Sequence, residues 1–129
     1  MDYPKDLLYT KEHEWARVEG DVATVGITDY AQNALGDIVF IELPKKGATV
    51  AKAKGAAVVE SVKSVSDVFC PVSGTVVEVN ESLSGAPDAV NKKPYSDGWM
   101  FKVRINSQKE LSDLMNPEEY EKFASAQKH

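Results

Sequence analysis

Apolar residues recur at every second position in a series of short, Val-rich runs, the pattern of half-buried β-strands. Val22 to Thr28 puts Ala23, Val25 and Ile27 on one face. Asp37 to Leu43 puts Val39, Ile41 and Leu43 on one face and Ile38 and Phe40 on the other. Ala56 to Val62, Val65 to Val72 and Thr75 to Val79 follow the same pattern. Trp99, Phe101, Val103 and Ile105 alternate with Met100, Lys102 and Arg104. Turn residues punctuate the runs at Glu19-Gly20-Asp21, Pro44 to Gly47, Ser73-Gly74 and Ser96-Asp97-Gly98. Many short strands at this spacing predict a sandwich or barrel.

Helical patterning is confined to the flanks of this Val-rich centre. Asp29 is the expected cap of a short helix from Tyr30 to Leu35, closed by Gly36. Ser107 to Glu110 has the form of a capping box and is followed by Leu111, Leu114 and Met115 at helical spacing. Asn116-Pro117-Glu118-Glu119 offers a second start: a cap residue, proline at the first helical position and acids in the first turn. Tyr120, Phe123 and Ala124 would be its buried stripe. C-terminal helices are therefore expected over about 107–126, with Gln127 to His129 frayed. An internal echo links Val39-Phe40 and Gly47 to Val50 with Val68-Phe69 and Gly74 to Val76, offset by 29 and 27 residues. It fits two similar β-units on either side of the segment near Lys63.

Composition narrows the functional classes. At 129 residues the chain is expected to form one domain, residues 1–129, with a core that needs no disulfide or metal. A formal net charge of -5 argues against nucleic acid, whose phosphates demand clustered Lys and Arg. No apolar run approaches the roughly 20 residues of a membrane span, and no signal peptide pattern is visible. Cys70 is the single cysteine; its setting, Val68 to Val72, reads as core rather than nucleophile.

Catalytic machinery is hard to assemble from these residues. His13-Glu14-Trp15-Ala16-Arg17 starts like a zinc-protease helix but lacks the second histidine, and the other histidine is the terminal His129. Two histidines and one cysteine make no ordinary zinc site, and neither a nucleophile elbow nor a phosphate-binding loop is present. An independent enzyme is not expected.

Attention falls instead on Lys63, where two β-like runs meet at a junction without Gly, Asn or Pro. A tight turn here would hold the lysine away from the body, but spacing alone leaves it one of 13 lysines. Its surroundings say more. Val58-Val59-Glu60-Ser61-Val62-Lys63-Ser64-Val65-Ser66-Asp67 closely resembles the lipoylation segment of the glycine cleavage system H protein family. His13-Glu14-Trp15, Val25 to Gln32, Leu35 to Phe40, Pro71 to Gly74, Val90-Asn91 and Pro94 to Met100 also look like that family's signatures. The resemblance runs essentially from residue 7 to residue 123.

The resemblance implies a mainly β, lipoyl/biotinyl-type barrel-sandwich hybrid of antiparallel strands with short peripheral helices. It implies lipoic acid joined by an amide to Lys63, with Glu60 and Gly74 helping the lipoate-attaching enzyme recognise the site. Glu14 and Asp67 match positions of a cleft that receives the loaded arm; Glu12 and Ala34 depart from some relatives there. The implied function is that of a non-catalytic carrier. It would shuttle the aminomethyl group of glycine between a pyridoxal-phosphate glycine decarboxylase, a folate-dependent aminomethyltransferase and dihydrolipoyl dehydrogenase. A monomer is expected, in the bacterial cytoplasm, or in the mitochondrial matrix for a mature eukaryotic chain. Rival readings are a lipoyl donor or carrier for another complex, a biotin carrier and an unmodified β-domain that only binds partners. Val62 and Ser64, in place of the methionines that usually flank a biotinyl lysine, argue against the biotin carrier.

Overall fold

The computed structural model describes residues 3–127. Two antiparallel sheets enclose the core. The larger is built from β1 (Leu8–Tyr9), β2 (Glu14–Glu19), β3 (Val22–Ile27), β9 (Phe101–Ile105), β8 (Gly74–Val79) and β5 (Thr49–Val50), in that spatial order. The smaller holds β4 (Ile38–Glu42), β6 (Gly55–Ser61) and β7 (Val65–Phe69), with β6 in the middle. The echoed segments are neighbours: β4 and β7 flank β6, and β5 pairs with β8 through Thr49 opposite Thr75.

Alternation does what it should in β6, where Ala57, Val59 and Ser61 point inward while Val58 and Glu60 are partly exposed. In β9 it holds from Phe101 onward, but the preceding Met100 is fully buried and Trp99 is not. Inward residues from both sheets, among them Val25, Ile41, Val59, Val68, Val76, Phe101 and Val103, form the main core. A second cluster of Leu7, Tyr9, Trp15, Tyr120 and Ala124 fixes the C-terminal helix against β1 and β2.

Strand β4 departs from its expected facing. The register slips between Ile38 and Phe40, a bulge that leaves Val39 as the extra residue. Ile38 and Ile41 are both buried as a result, while Val39 and Phe40 both face solvent. Strand β2 has no clean apolar alternation, because its inward face begins with a carboxylate. Glu14 is buried opposite Ile27, ahead of Ala16.

The helices also differ in detail. Helix α1 (Asp29–Leu35) is capped by Thr28 rather than Asp29: β3 ends one residue earlier, and the Thr28 hydroxyl accepts from the Ala31 N–H at 3.2 Å. Asp29 instead sits in the first turn and accepts from Gln32 Nε2 at 2.7 Å. Gly36 closes the helix as expected, at φ 83°. A four-residue helix α2 spans Ala89–Lys92. Ser107 makes no side-chain cap, and Gln108–Asp113 is 3₁₀ rather than α-helical. The Glu110 carboxylate is engaged elsewhere, accepting from the Ser73 N–H at 2.7 Å and its hydroxyl at 3.1 Å, so it cannot complete a capping box. The box forms one segment later in α3 (Pro117–Ala126): Asn116 accepts from Glu119 N–H at 2.8 Å, and Glu119 from Asn116 N–H at 2.9 Å. Gln127 is ordered by a side-chain bond to His13, whereas Lys128 and His129 lie outside the described residues.

Candidate functional site

The turn between β6 and β7 is made without glycine. Ser61 N–H donates to the Ser64 carbonyl at 2.8 Å, closing a loop whose two free residues are Val62 and Lys63. In return the Ser61 hydroxyl oxygen accepts from the N–H groups of Lys63 and Ser64, at 3.3 and 3.1 Å. A serine hydroxyl thus replaces the Gly or Asn that a two-residue hairpin usually requires, and neither Val62 nor Lys63 has positive φ. Ser61 was not among the sequence candidates; a serine two residues before the lysine was the available sign. The result is an exposed Lys63 at the tip of a short hairpin.

A second layer fixes the hairpin to the body. Val62 N–H donates to the Asp37 carbonyl at 3.1 Å, joining the turn to the α1–β4 loop. Asn91 in α2 holds that loop in shape. Its Nδ2 donates to the Gly36 carbonyl at 2.9 Å and to Gln32 Oε1 at 3.0 Å, and its Oδ1 accepts from Ile38 N–H at 2.9 Å. Gly36 is required by its left-handed φ of 83°, and it sits beside the lysine stem: a Cβ there would be at ordinary contact distance, 3.4 Å, from Lys63 Cε.

Glu60 stands on the solvent face of the smaller sheet, between Phe40 and Val65 in register. It is partly exposed and within reach of an enzyme approaching Lys63. Gly74 is placed differently. It is buried in the larger sheet between Val50 and Ile105, and any Cβ would collide with the Arg104 carbonyl oxygen and lie 2.7 Å from Val103 Cγ1. Its requirement for glycine is steric.

Glu14 and Asp67 border one cavity of about 160 Å³, together with Glu12, His13 and Ala34. Its apolar wall includes Ile27, Leu35, Val59 and Val68. The two acids differ in setting. Glu14 is 2% exposed; one carboxylate oxygen accepts from Thr10 Oγ1 at 2.5 Å and the other from Phe69 N–H at 3.2 Å. Burial outweighs these two bonds and pushes its pKa up to about 7. Asp67 is exposed, beside Gly55 on the outer face of β7, and edges the cavity from the solvent side. Glu14 also borders a second cavity of about 380 Å³, walled by Thr10, Phe69, Cys70, Pro71, Leu114 and Met115. Cys70 is a core residue as expected: burial pushes its thiol up to about 11, and Sγ donates to the Val72 carbonyl at 3.0 Å.

The sequence offered His13 as half of a metal motif and as part of a family signature, and here it is structural. It takes a left-handed φ of 70° and stacks on Tyr30 with ring centroids 4.4 Å apart. Its Nδ1 lies 2.7 Å from the Tyr120 hydroxyl, itself 2.7 Å from Thr28 Oγ1, and its Nε2 lies 3.0 Å from Gln127 Oε1. The carbonyl-type oxygen of Gln127 requires Nε2 to carry the proton, leaving Nδ1 to accept from Tyr120. Burial lowers the His13 pKa.

Comparison with known proteins matches this arrangement. Residues 7–127 fit the Glycine cleavage H-protein family. The glycine cleavage system H protein of Halothermothrix orenii is 54% identical over 123 residues, covering 95% of this chain and 96% of the relative. That of Carboxydothermus hydrogenoformans is 55% identical over 120 residues, covering 93% and 92%. The crystal structure of a glycine cleavage system H protein from Mycobacterium marinum aligns with a TM-score of 0.84 at 39% identity, over 92% of this chain and 95% of that one. The two-sheet architecture is therefore the barrel-sandwich hybrid expected from the strand pattern and the resemblance. On this agreement of sequence, fold and coverage, the chain belongs to the glycine cleavage system H protein family.

Proposed function

We propose that Lys63 carries lipoate in amide linkage and presents it in turn to glycine decarboxylase, aminomethyltransferase and dihydrolipoyl dehydrogenase. The chain is a carrier subunit of the glycine cleavage system by family, and the family is lipoyl-bearing. The observation that carries the reading is the braced hairpin with an exposed lysine at its tip. The donor chemistry fits the group: a primary amine on a flexible stem, engaged in no ion pair among the described residues. When attached, lipoate supplies a disulfide that is reduced on taking up the aminomethyl group of glycine and reoxidised later.

The chain's own residues position and protect. Ser61, Asp37 and Asn91 fix the direction in which Lys63 leaves the sheet. An arm of about ten bonds from that point sweeps roughly 10 Å or more, and tethering raises its concentration at a docked partner. Ile27, Leu35, Val59 and Val68 keep water from the cavity wall, and Glu14 awaits a cation at its inner end. An ammonium reaching Glu14 would favour its carboxylate form and a charge-assisted hydrogen bond, with Asp67 as the outer acid. We assign the whole chain, residues 1–129, to one carrier domain without catalytic residues of its own, working in the cytoplasm.

Intact-mass measurement of protein from a lipoate-competent host tests the attachment. One lipoyl increment is expected, absent in Lys63→Arg while the fold is retained. An unmodified native chain, or a lipoyl group elsewhere, refutes it. Glycine–bicarbonate exchange with the partner decarboxylase should require lipoylated Lys63, and activity confined to another lipoyl-dependent complex would show a relay role instead.

A further inference from the structure

The connection from β1 to β2 folds a polar turn around Glu14. Thr10 Oγ1 accepts from the N–H groups of Glu12 and Glu14, at 3.2 and 3.1 Å. Both its lone pairs are thereby used, and its own hydrogen goes to Glu14 Oε1 at 2.5 Å. Phe69 N–H serves the other oxygen, Oε2, at 3.2 Å. A carboxylate offers about four acceptor sites, so about two remain. No ion pair among the described residues engages Glu14. Thr10 and Phe69 both line the larger cavity, of about 380 Å³, and neither borders the smaller cavity assigned to the arm. The carboxyl end of Glu14 is therefore bonded to the wall of the larger cavity.

That cavity has a fixed frame. Met115 and Tyr9 exchange backbone bonds at 2.7 and 2.9 Å, which pins one wall to β1. Lys52 clasps the rim: its Nζ lies 2.5 Å from Asp113 Oδ2 and donates to the Glu110 carbonyl at 3.2 Å, so its charge is already matched. Lys11 and Glu12, exposed at the mouth, are of opposite sign. The interior is apolar apart from Glu14, since the Cys70 thiol is committed to the Val72 carbonyl. An anion would meet Glu12 and Glu14, and a neutral guest would leave the buried acid without a counter-charge. A small amine satisfies both parts of the chamber, with its apolar body on Phe69, Leu114 and Met115. We infer that the larger cavity is a second ligand site, one that takes a small organic ammonium whose N–H groups donate to Glu14. Without such a guest burial holds Glu14 near neutrality, and the guest returns it to the carboxylate form. On the reading above that the loaded arm brings its own ammonium to this carboxylate, guest and arm exclude one another. The site itself does not depend on Lys63 carrying lipoate.

An amide NMR titration of the full-length, unlipoylated chain at neutral pH tests this with two probes of one shape, phenethylammonium chloride and the neutral phenethyl alcohol. The ammonium should shift the Thr10, Phe69, Cys70 and Met115 N–H signals saturably, with a Kd of about 1 mM. The alcohol should bind about tenfold more weakly, and Glu14→Gln should abolish that preference. Leu114→Trp, at a half-buried position of the wall, puts a larger side chain into the chamber and should weaken the ammonium about fivefold or more. It keeps the idea testable if Glu14→Gln folds poorly. Equal binding of the two probes by wild type, a preference that survives in folded Glu14→Gln, or an affinity unaltered by Leu114→Trp overturns the proposal. So does a titration still unsaturated at about 20 mM. Shifts centred on Ala31, Ala34 and Ser66 would seat the amine in the arm cavity and overturn it equally. Lipoylation plays no part in these measurements, so their failure and a failure of attachment at Lys63 are separate results.

Discussion

Replacing Glu14 by Gln should remove a pH dependence of stability that the wild-type fold carries. Glu14 is almost fully buried, and its pKa rises from 4.5 to about 7 mainly through loss of solvation. Between those values the folded chain holds a proton that the unfolded chain releases. The contribution of Glu14 to stability is therefore fully present below about pH 4.5 and is lost as pH rises through 7. The difference corresponds to about 2.5 kcal/mol between pH 5 and pH 8. With a urea m-value of roughly 1.5 kcal/mol/M, the wild-type midpoint should lose about 2 M relative to Glu14→Gln over that range. Gln cannot satisfy both neighbours, because Thr10 and Phe69 each donate to an oxygen and its amide nitrogen accepts neither. The absolute stability of the variant at pH 5 should consequently be lower than wild type by about 1–3 kcal/mol, and the informative quantity is the slope. His13 titrates with the opposite sign: its lowered pKa gives stability that is present above the unfolded value and lost as pH falls. It is common to both proteins and cancels in the comparison. Parallel urea midpoints from pH 5 to pH 8 would refute the assignment of a neutral, buried Glu14.

Three further substitutions probe the framework. Gly74→Ala drives a Cβ into the Arg104 carbonyl and should destabilise by about 3 kcal/mol or more, lowering the melting temperature by about 10 °C in calorimetry. Any loss of lipoylation in that variant should track unfolding rather than appear in the folded fraction. Ser61→Ala leaves the N–H groups of Lys63 and Ser64 without their acceptor, and should cost about 1–2 kcal/mol and slow acylation severalfold; a wild-type rate would show that the turn needs no bracing. Asn116→Ala breaks the capping box of α3 and should cost about 1 kcal/mol in urea unfolding, with the acylation rate unchanged because α3 lies away from Lys63.

The legible parts of the fold were those where one side chain makes one choice between core and water. Strands β3, β6, β8 and most of β9 fell where alternation put them, and Asn116-Pro117 marked α3 correctly. Alternation failed where a backbone irregularity or a buried charge intervened. The extra residue in β4 turned Val39 outward, and Glu14 hid the inward face of β2. The cap of α1 moved from Asp29 to Thr28 because the strand before it stopped one residue sooner. At the site, Lys63 stood out through its surroundings. Ser61 did not, because a single hydroxyl serving two backbone donors is a three-dimensional fact. Gly74 was noticed in the sequence, but its role as a packing residue became visible only with Arg104 beside it.

The bulge in β4 has a bearing on solubility as well. Strand β4 is an edge of the smaller sheet, and a straight edge with outward Val and Phe side chains invites pairing with another chain. The slip between Ile38 and Phe40 interrupts the ladder where those side chains are presented. The irregularity that displays apolar surface beside Lys63 therefore also blunts the edge as a template for strand addition. A chain with Val39 deleted would regain strict alternation and offer the straighter edge to its own copies.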